Sequence, residues 1–333
     1  MADFLDVNFH AFELIFQPYK EQTGKMGSFG IFKSCVKKIN DTRTENRRYI
    51  IIDRHENRDK AESRRLFVSR ATYSHSDRMY KCRINLLRDK VPAFLDREKM
   101  TISSDIDLKD KELVETTNFY VDLEKHNNPT VICEYNNLGP KISDIEYYFR
   151  TLSSRKFLHI SKACKAQVHM EKSVEQVINS MENVFKFRFK ARPESLPALF
   201  RNTQDSFISN MQALANTVDP KSVKVDLSFR ETGGKKLITE KNYKMLSTSK
   251  KILQAVINDT KVMEDIEDFY LEYEDSEGND NDFSLVRGKV TLYVKCPYKK
   301  GKKGQLDTEK LFDLANEQYM LYKAEKMNVN DKD

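Results

Sequence analysis

The chain has 333 residues, with 57 Lys and Arg against 51 Asp and Glu, 39% hydrophobic and 32% charged side chains. Its 20 Phe and 15 Tyr supply large apolar units for a packed core, which argues against wholesale disorder, and 10 Gly with 8 Pro are too few for collagen-like repeats or long flexible linkers. A net charge of +6 does not make a polycation of this size, so an anionic polymer would have to be met by local patches.

In chain order, Ser28 to Asn40 places Phe32, Val36 and Ile39 on one side of a predicted helix. Gly27-Ser28-Phe29-Gly30 opens it without a phosphate-loop pattern. Tyr80, Cys82, Ile84 and Leu86 alternate with Lys81, Arg83 and Asn85, which predicts a half-buried strand. Phe119, Val121 and Leu123 predict a second strand. The run Val131 to Tyr135 predicts a third, joined to it by the turn residues His126-Asn127-Asn128-Pro129. A helix is expected over Asp144 to Leu152 with Ser143 as N-cap. Leu158, Ile160, Cys164, Ala166, Val168 and Met170 then share one face of a strand.

Val174, Val177, Ile178 and Met181 mark a helix over Ser173 to Met181. Val184 to Arg192 reads as a strand with Phe185, Phe187 and Phe189 on one face. Helices over Asp205 to Val218, Asn242 to Ile257 and Thr308 to Lys326 bracket further strands. One holds Val223, Val225, Leu227 and Phe229, and another Phe269, Leu271 and Tyr273. After the turn Glu277-Gly278-Asn279, one long strand is expected to carry Val286, Val290, Leu292, Val294 and Cys296. Gly233-Gly234 reads as a turn after the Val223 strand.

Hairpin-like pairs mixed with helices favour an α+β fold of two domains with mainly antiparallel sheets flanked by helices. The expected division is 1–155 and 156–333, and a discontinuous domain stays open because no linker composition marks the boundary. The longest aliphatic or aromatic run is Tyr49 to Ile52, far short of the ~18 residues of a membrane helix, and the acidic N-terminus is not a secretory leader. Five scattered cysteines without a C-x-x-C pair suit a reduced, cytoplasmic compartment.

No nucleotide-loop, dinucleotide or zincin motif is present. His159, Cys164 and His169 stand five apart, which puts the cysteine on the opposite strand face, so no metal site is expected. The acids near Asp105, Asp107 and Asp110 and those at Glu264, Asp265, Glu267 and Asp268 read as solvated faces. No catalytic set, metal or cofactor is assigned.

The charge, by contrast, is sorted into blocks. Residues 43–90 hold 14 Lys and Arg against 7 Asp and Glu, most of the cations being Arg, the better phosphate partner. Lys186, Arg188, Lys190 and Arg192 alternate with the three Phe, and such a strand either tracks a phosphate backbone or pairs with a neighbour's acids. Arg287, Lys289, Lys295, Lys299, Lys300, Lys302 and Lys303 fall in residues 285–304 with no acid. Just before them, residues 259–282 carry 11 acids and one lysine. An antiparallel pairing is expected to set Glu272 and Glu274 opposite Arg287 and Lys289, leaving the 299–304 loop for phosphate.

Two segments add a resemblance: Gly139-Pro140-Lys141-Ile142-Ser143-Asp144-Ile145, and Val225-Asp226-Leu227-Ser228-Phe229-Arg230 followed by Gly233-Gly234, Leu237-Ile238-Thr239-Glu240 and Tyr243. Their order, over roughly residues 130–300, resembles the RexA-like family of phage-exclusion DNA-binding proteins. The resemblance implies a cytoplasmic, two-domain α+β protein that dimerises and binds duplex DNA with little sequence preference. It also implies a part in antiviral defence with a separately encoded membrane effector, without inserting into the bilayer itself. The resulting expectation is a non-enzymatic DNA-binding protein of a phage-exclusion system, contacting phosphate through the eleven cations named in the second and third blocks. The rival expectations are a metal-dependent defence nuclease and a protein-interaction module docking through residues 259–282.

Overall fold

The computed structural model describes residues 4–22, 24, 26–56, 63–88, 94–96, 101–103, 112–123, 128–169, 173–230, 238–285, 289–298 and 306–330. The chain is α+β and divides into two compact units, Met1–Ala166 with Thr291–Asp333, and Gln167–Val290. A cut near 155 is expected from the sequence, with a discontinuous domain left open; here the chain passes from the first unit to the second within the strand Ser161–Val168 and re-enters the first at Thr291.

The first unit holds β1 (Phe4–Pro18), α1 (Ser28–Asn46), β2 (Ile52–Asp53), β3 (Arg65–Ser74), β4 (Met79–Arg88), β5 (Phe94–Asp96), β6 (Thr101–Ser103), β7 (Leu113–Asp122), β8 (Thr130–Glu134), α2 (Ile142–Ser153) and β9 (Ser161–Val168). The inserted unit adds α3 (Val174–Ser180), β10 (Met181–Ala191), α4 (Leu196–Thr203), α5 (Ser206–Val218), β11 (Val223–Ser228), α6 (Glu240–Asn258), α7 (Thr260–Asp265), β12 (Ile266–Asp275) and β13 (Asp280–Ser284). The return to the first unit supplies β14 (Thr291–Pro297) and α8 (Thr308–Asn330).

In the first unit, eight strands form one sheet in the order β14-β1-β8-β7-β4-β3-β2, with β9 also paired to β1. Neighbouring side chains on a strand point to opposite faces, and β7 shows what covers each. Phe119 meets Phe149 of α2 at 6.4 Å between ring centroids, whereas Tyr120 meets Phe312 of α8 at 4.6 Å. Thus α2, with Phe32 of α1 against Phe149 at 5.0 Å, lies on one face and α8 on the other. Asp122 anchors α8, accepting hydrogen bonds from the Tyr319 hydroxyl at 2.9 Å and Lys323 Nζ at 2.8 Å.

The long strand β1 escapes the sequence reading because its apolar phase changes midway. Val7, Phe9 and Ala11 are buried on the α8 face, and Phe12, Leu14 and Phe16 on the opposite one. A period-two pattern that switches phase at Ala11–Phe12 hides as a mixed run.

The second unit is a four-stranded sheet, β11-β10-β12-β13, with helices on one face. Phe187, Phe189, Phe269 and Leu271 are fully buried there; Phe207 of α5 packs edge-on to Phe187 at 5.4 Å, and Asn242 of α6 donates to the Val184 carbonyl at 2.9 Å. At ~1.5–3 kcal/mol per large apolar side chain, these rings dominate the stability of the unit. The expected Phe face holds with one change. A bulge between Val184 and Lys186 takes Phe185 out of register, and its ring lies under the Arg230 guanidinium at 4.7 Å.

Two local expectations are corrected. The Asp144 helix starts at Ile142 with Lys141 as N-cap, and Ser143 instead accepts a hydrogen bond from Arg54. The long strand expected through Val286 to Cys296 does not form. β13 ends at Ser284, residues 286–288 lie outside the described residues, and β14 pairs with β1 in the other unit. The apolar alternation is the same in both sheets, so periodicity could not tell them apart. The expected turns at His126–Asn127 and Gly233-Gly234 also lie outside the described residues, although β7 and β8 do pair antiparallel.

Candidate nucleic-acid interface

The strand β10 carries the sharpest sequence signal, and its cations meet neighbouring acids. Lys186 stands opposite Glu272 in the ladder, with Nζ 3.7 Å from the carboxylate. Arg188 stands opposite Asp226 at 3.1 Å, its guanidinium over the Tyr270 ring at 5.5 Å. Lys190 and Arg192 share Glu267, at 2.8 and 2.9 Å. Hydrogen bonds from these two cations hold the Glu267 carboxyl below the usual carboxylate range. The open face of this sheet is therefore a checkerboard. Its cations sit among Asp226, Glu267, Glu272 and Asp280, the last two also contacted by Arg230. Surface pairs of this kind contribute only ~0–1 kcal/mol each, so they neutralise the face more than they stabilise it.

The expected pairing of Glu272 and Glu274 with Arg287 and Lys289 is replaced by a like-charged register. Glu272 faces Asp282 and Glu274 faces Asp280 across β12 and β13. Opposed like charges are unfavourable, and Lys186, Arg230 and the Asn183 amide, 3.2 Å from Glu274, relieve them. Arg287, Lys299, Lys300, Lys302 and Lys303 lie outside the described residues. Lys289 is described and has interactions of its own. Lys295 is exposed on β14, opposite Asp6.

The arginines of residues 43–90 are largely taken up by the fold. Asp144 is fully buried at the first turn of α2. Its Oδ1 accepts from Arg54 Nη1 at 2.6 Å and Arg64 Nε at 2.9 Å, and its Oδ2 from Arg64 Nη2 at 2.5 Å and the Lys141 amide at 3.0 Å. Burial alone pushes this carboxyl up, but the hydrogen bonds and charges of Arg64 and Arg54 outweigh it and hold the group below its ordinary value. The approach to this turn needs a glycine: a Cβ on Gly139 would stand 2.6 Å from the Asn136 amide and 2.7 Å from Thr117 Oγ1. The Gly139–Asp144 segment thus holds the clamp that ties the Arg54–Arg64 region to α2. Elsewhere, Arg43 donates to the Ser69 carbonyl, Arg70 pairs with Glu309, Arg83 donates to Asn118 and Arg88 pairs with Glu115.

A different set of cations is left open. On the outer side of α1, Lys33, Lys37 and Lys38 are exposed, and Arg47 and Arg48 follow at its end. None of the five has an ion pair among the described residues, and Lys33 rests over the Phe29 ring at 4.3 Å. Asp41 and Glu45 are the acids within the same stretch. Lys33 and Lys37 are one turn apart, and the helix rises ~20 Å from Lys33 to its end at Asn46, at 1.5 Å per residue, with Arg47 and Arg48 just beyond. The sequence signal was available, since Lys33 and Lys37 lie opposite the apolar Phe32–Val36–Ile39 stripe. The 43–90 block takes in Arg47 and Arg48 but stops short of Lys33, Lys37 and Lys38, so a local count divides the row.

The remaining titratable cluster lies between the sheet and the start of α8. Burial raises the Glu134 pKa, opposed by hydrogen bonds from the Asn118 amide at 2.8 Å and side chain at 2.7 Å and by Arg83. Among the described residues, no group of three or more His, Cys, Asp or Glu is placed to hold a metal ion, and no helix is long and apolar enough to cross a membrane. No protein-family model matches the chain, and no curated protein is significantly similar to it.

Proposed function

We propose that this chain is a non-enzymatic DNA-binding protein that holds the phosphate backbone without strong sequence preference, as part of a phage-exclusion system. The observation that carries the reading is that none of the α1 cations has an ion pair among the described residues. Lys33, Lys37, Lys38, Arg47 and Arg48 form an exposed basic row in a unit whose sequence holds 39 Lys and Arg against 31 Asp and Glu. Such a row suits a polyanion because each phosphate contact releases condensed counterions. In this reading the β10 cations of the other unit, and by sequence the lysines at 299–303, are additional phosphate contacts. On β10 the phosphate must first displace Asp226, Glu267 or Glu272, which makes that strand a weaker contributor than α1.

Phage exclusion, dimerisation and a membrane effector rest on the family resemblance. A titration of labelled duplex of several sequences against salt tests the binding. The expected result is the same affinity for each sequence and a steep fall with salt; absence of binding at low salt overturns the reading. Nicking of plasmid DNA in Mg²⁺ or Mn²⁺ would overturn its non-enzymatic part. Plaque counts on cells with and without the protein test the exclusion role.

A further inference from the structure

The phase change in β1 leaves part of one sheet face uncovered. On the face that bears α1 and α2, the covered positions of β1 begin at Phe12, while Phe4, Asp6, Asn8 and His10 precede them on the same side. Directly opposite on β14 stand Pro297, Lys295, Tyr293 and Thr291, in that order. On the other flank, the Tyr135 amide donates to the Asn8 carbonyl at 2.8 Å, and its ring meets His10 edge-on at 5.5 Å. β1, β14 and the residue just after β8 thus bring Phe4, Tyr293 and Tyr135 to one surface, with relative exposures of 58, 71 and 51%. Tyr293 is the most exposed large hydrophobic side chain among the described residues.

This is not a continuous apolar patch of the kind a protein partner buries. Polar and charged groups separate the rings: Asn8 lies between the two tyrosines, His10 Nδ1 is 3.1 Å from Thr291 Oγ1, and exposed Lys295 stands beside Tyr293 on the same face. Lys295 has no ion pair among the described residues, although Asp6 stands opposite it. Lys141 Nζ lies 6.0 Å from the centre of the Tyr135 ring. Tyr293 and Tyr135 flank one strand, so two strand spacings, about 10 Å, separate them. Rings standing singly among cations on an open sheet match a ligand of flat faces joined by anions.

We infer that this face binds single-stranded nucleic acid, stacking unpaired bases on Tyr293, Tyr135 and Phe4 while Lys295 and Lys141 meet the adjoining phosphates. The inference builds on the DNA-binding reading and names a second form of ligand for the same unit. Duplex DNA is held by charge alone, whereas a single strand also offers free bases.

The test uses the full chain and fluorescence anisotropy with three probes: oligo-dT and oligo-rU of about 20 nucleotides, and a duplex of equal length. The double variant Tyr293→Ala/Tyr135→Ala is expected to lose roughly five- to a hundredfold in single-strand affinity per ring, with duplex affinity unchanged. Tyr293→Phe/Tyr135→Phe is expected to keep single-strand binding, because stacking needs the ring and not the hydroxyl. Lys295→Gln should flatten the single-strand salt dependence by about 0.7 in log–log slope. Comparing oligo-dT with oligo-rU separates DNA from RNA as the source of the strand. Both tyrosines are exposed, so an unchanged melting temperature is the expected control.

Wild-type binding to duplex but to neither oligonucleotide overturns this inference alone; binding to none of the three overturns the DNA-binding reading as well. An alanine pair that binds oligo-dT normally overturns it, and so does one that loses duplex and single strand equally. If the alanine pair disperses an oligomer without changing single-strand affinity, the face joins copies of this chain and the inference fails.

Discussion

In the 167–290 unit, 18 Lys and Arg are set against 20 Asp and Glu; in the other unit, 39 are set against 31. The first ratio is that of a self-neutralising surface, and the sheet realises it strand by strand, with Lys186, Arg188 and Lys190 each within reach of an acid on β11 or β12. The second leaves a surplus after its arginines have been used internally. The two units also place their ion pairs at different depths. Arg54 and Arg64 converge on a carboxylate that is fully buried, whereas Lys190 and Arg192 converge on one that is partly in water. Buried and exposed pairs differ severalfold in what their removal costs, so one chemical motif is a structural clamp in one unit and a surface mask in the other.

The largest effect should follow from breaking the clamp. Asp144→Asn leaves two guanidinium groups without their buried counter-charge and is expected to cost ~3–5 kcal/mol, read as a lower urea midpoint. Phe187→Ala is the matching lesion in the core of the other unit. It should cost a similar ~3–5 kcal/mol by opening a cavity among Phe189, Phe207 and Phe269.

Acid should expose the same clamp. The Asp144 carboxyl is held below its unfolded value of ~3.9, so its contribution is present above that pH and lost as the pH falls through the folded value. Unfolding midpoints measured downward from pH 5 should drop in the wild type and drop less in Asp144→Asn.

A smaller effect, on binding rather than folding, is expected from Lys33→Glu with Lys37→Glu. Duplex affinity should fall alike for all sequences, and the log–log salt slope should lose about 0.9 for each phosphate contact removed. The same reversals at Lys186 and Lys190 should change affinity less, because those cations already face acids.

The smallest stability change sharpens the comparison most. Glu267→Gln should cost no more than ~1 kcal/mol, yet remove the carboxylate that Lys190 and Arg192 share. Duplex affinity and salt slope should then rise, and no change in either would show that β10 lies away from the DNA.

Much of the local structure was legible in the residues. β7 forms where expected but is buried on both faces, whereas the alternations of β4, β11 and β12 and the apolar stripes of α1 and α3 lie where periodicity puts them. A core face and a water face impose their period on any strand or helix that separates them. Part of the candidate site was legible too: the Phe and cation faces of β10, and Lys295. The α1 row was present as a spacing, but the 43–90 block takes in only its Arg47 and Arg48 end. β1 stayed hidden because two different partners cover its two halves on opposite faces.

The sequence by itself determined the α+β class, the buried Phe face of β10 and the sorting of charge into blocks, since each depends only on the order of side chains along a few residues. Tertiary structure alone decided which charges are left over. Arg188 and Asp226 are 38 residues apart and Arg64 and Asp144 are 80 apart, so no local window relates them. It also decided that β14 joins β1 and not β13, because matching apolar alternation allows either pairing and only the packed sheets choose. A net charge of +6 therefore describes a molecule in which one unit cancels its charge across neighbouring strands and the other carries an excess of cations.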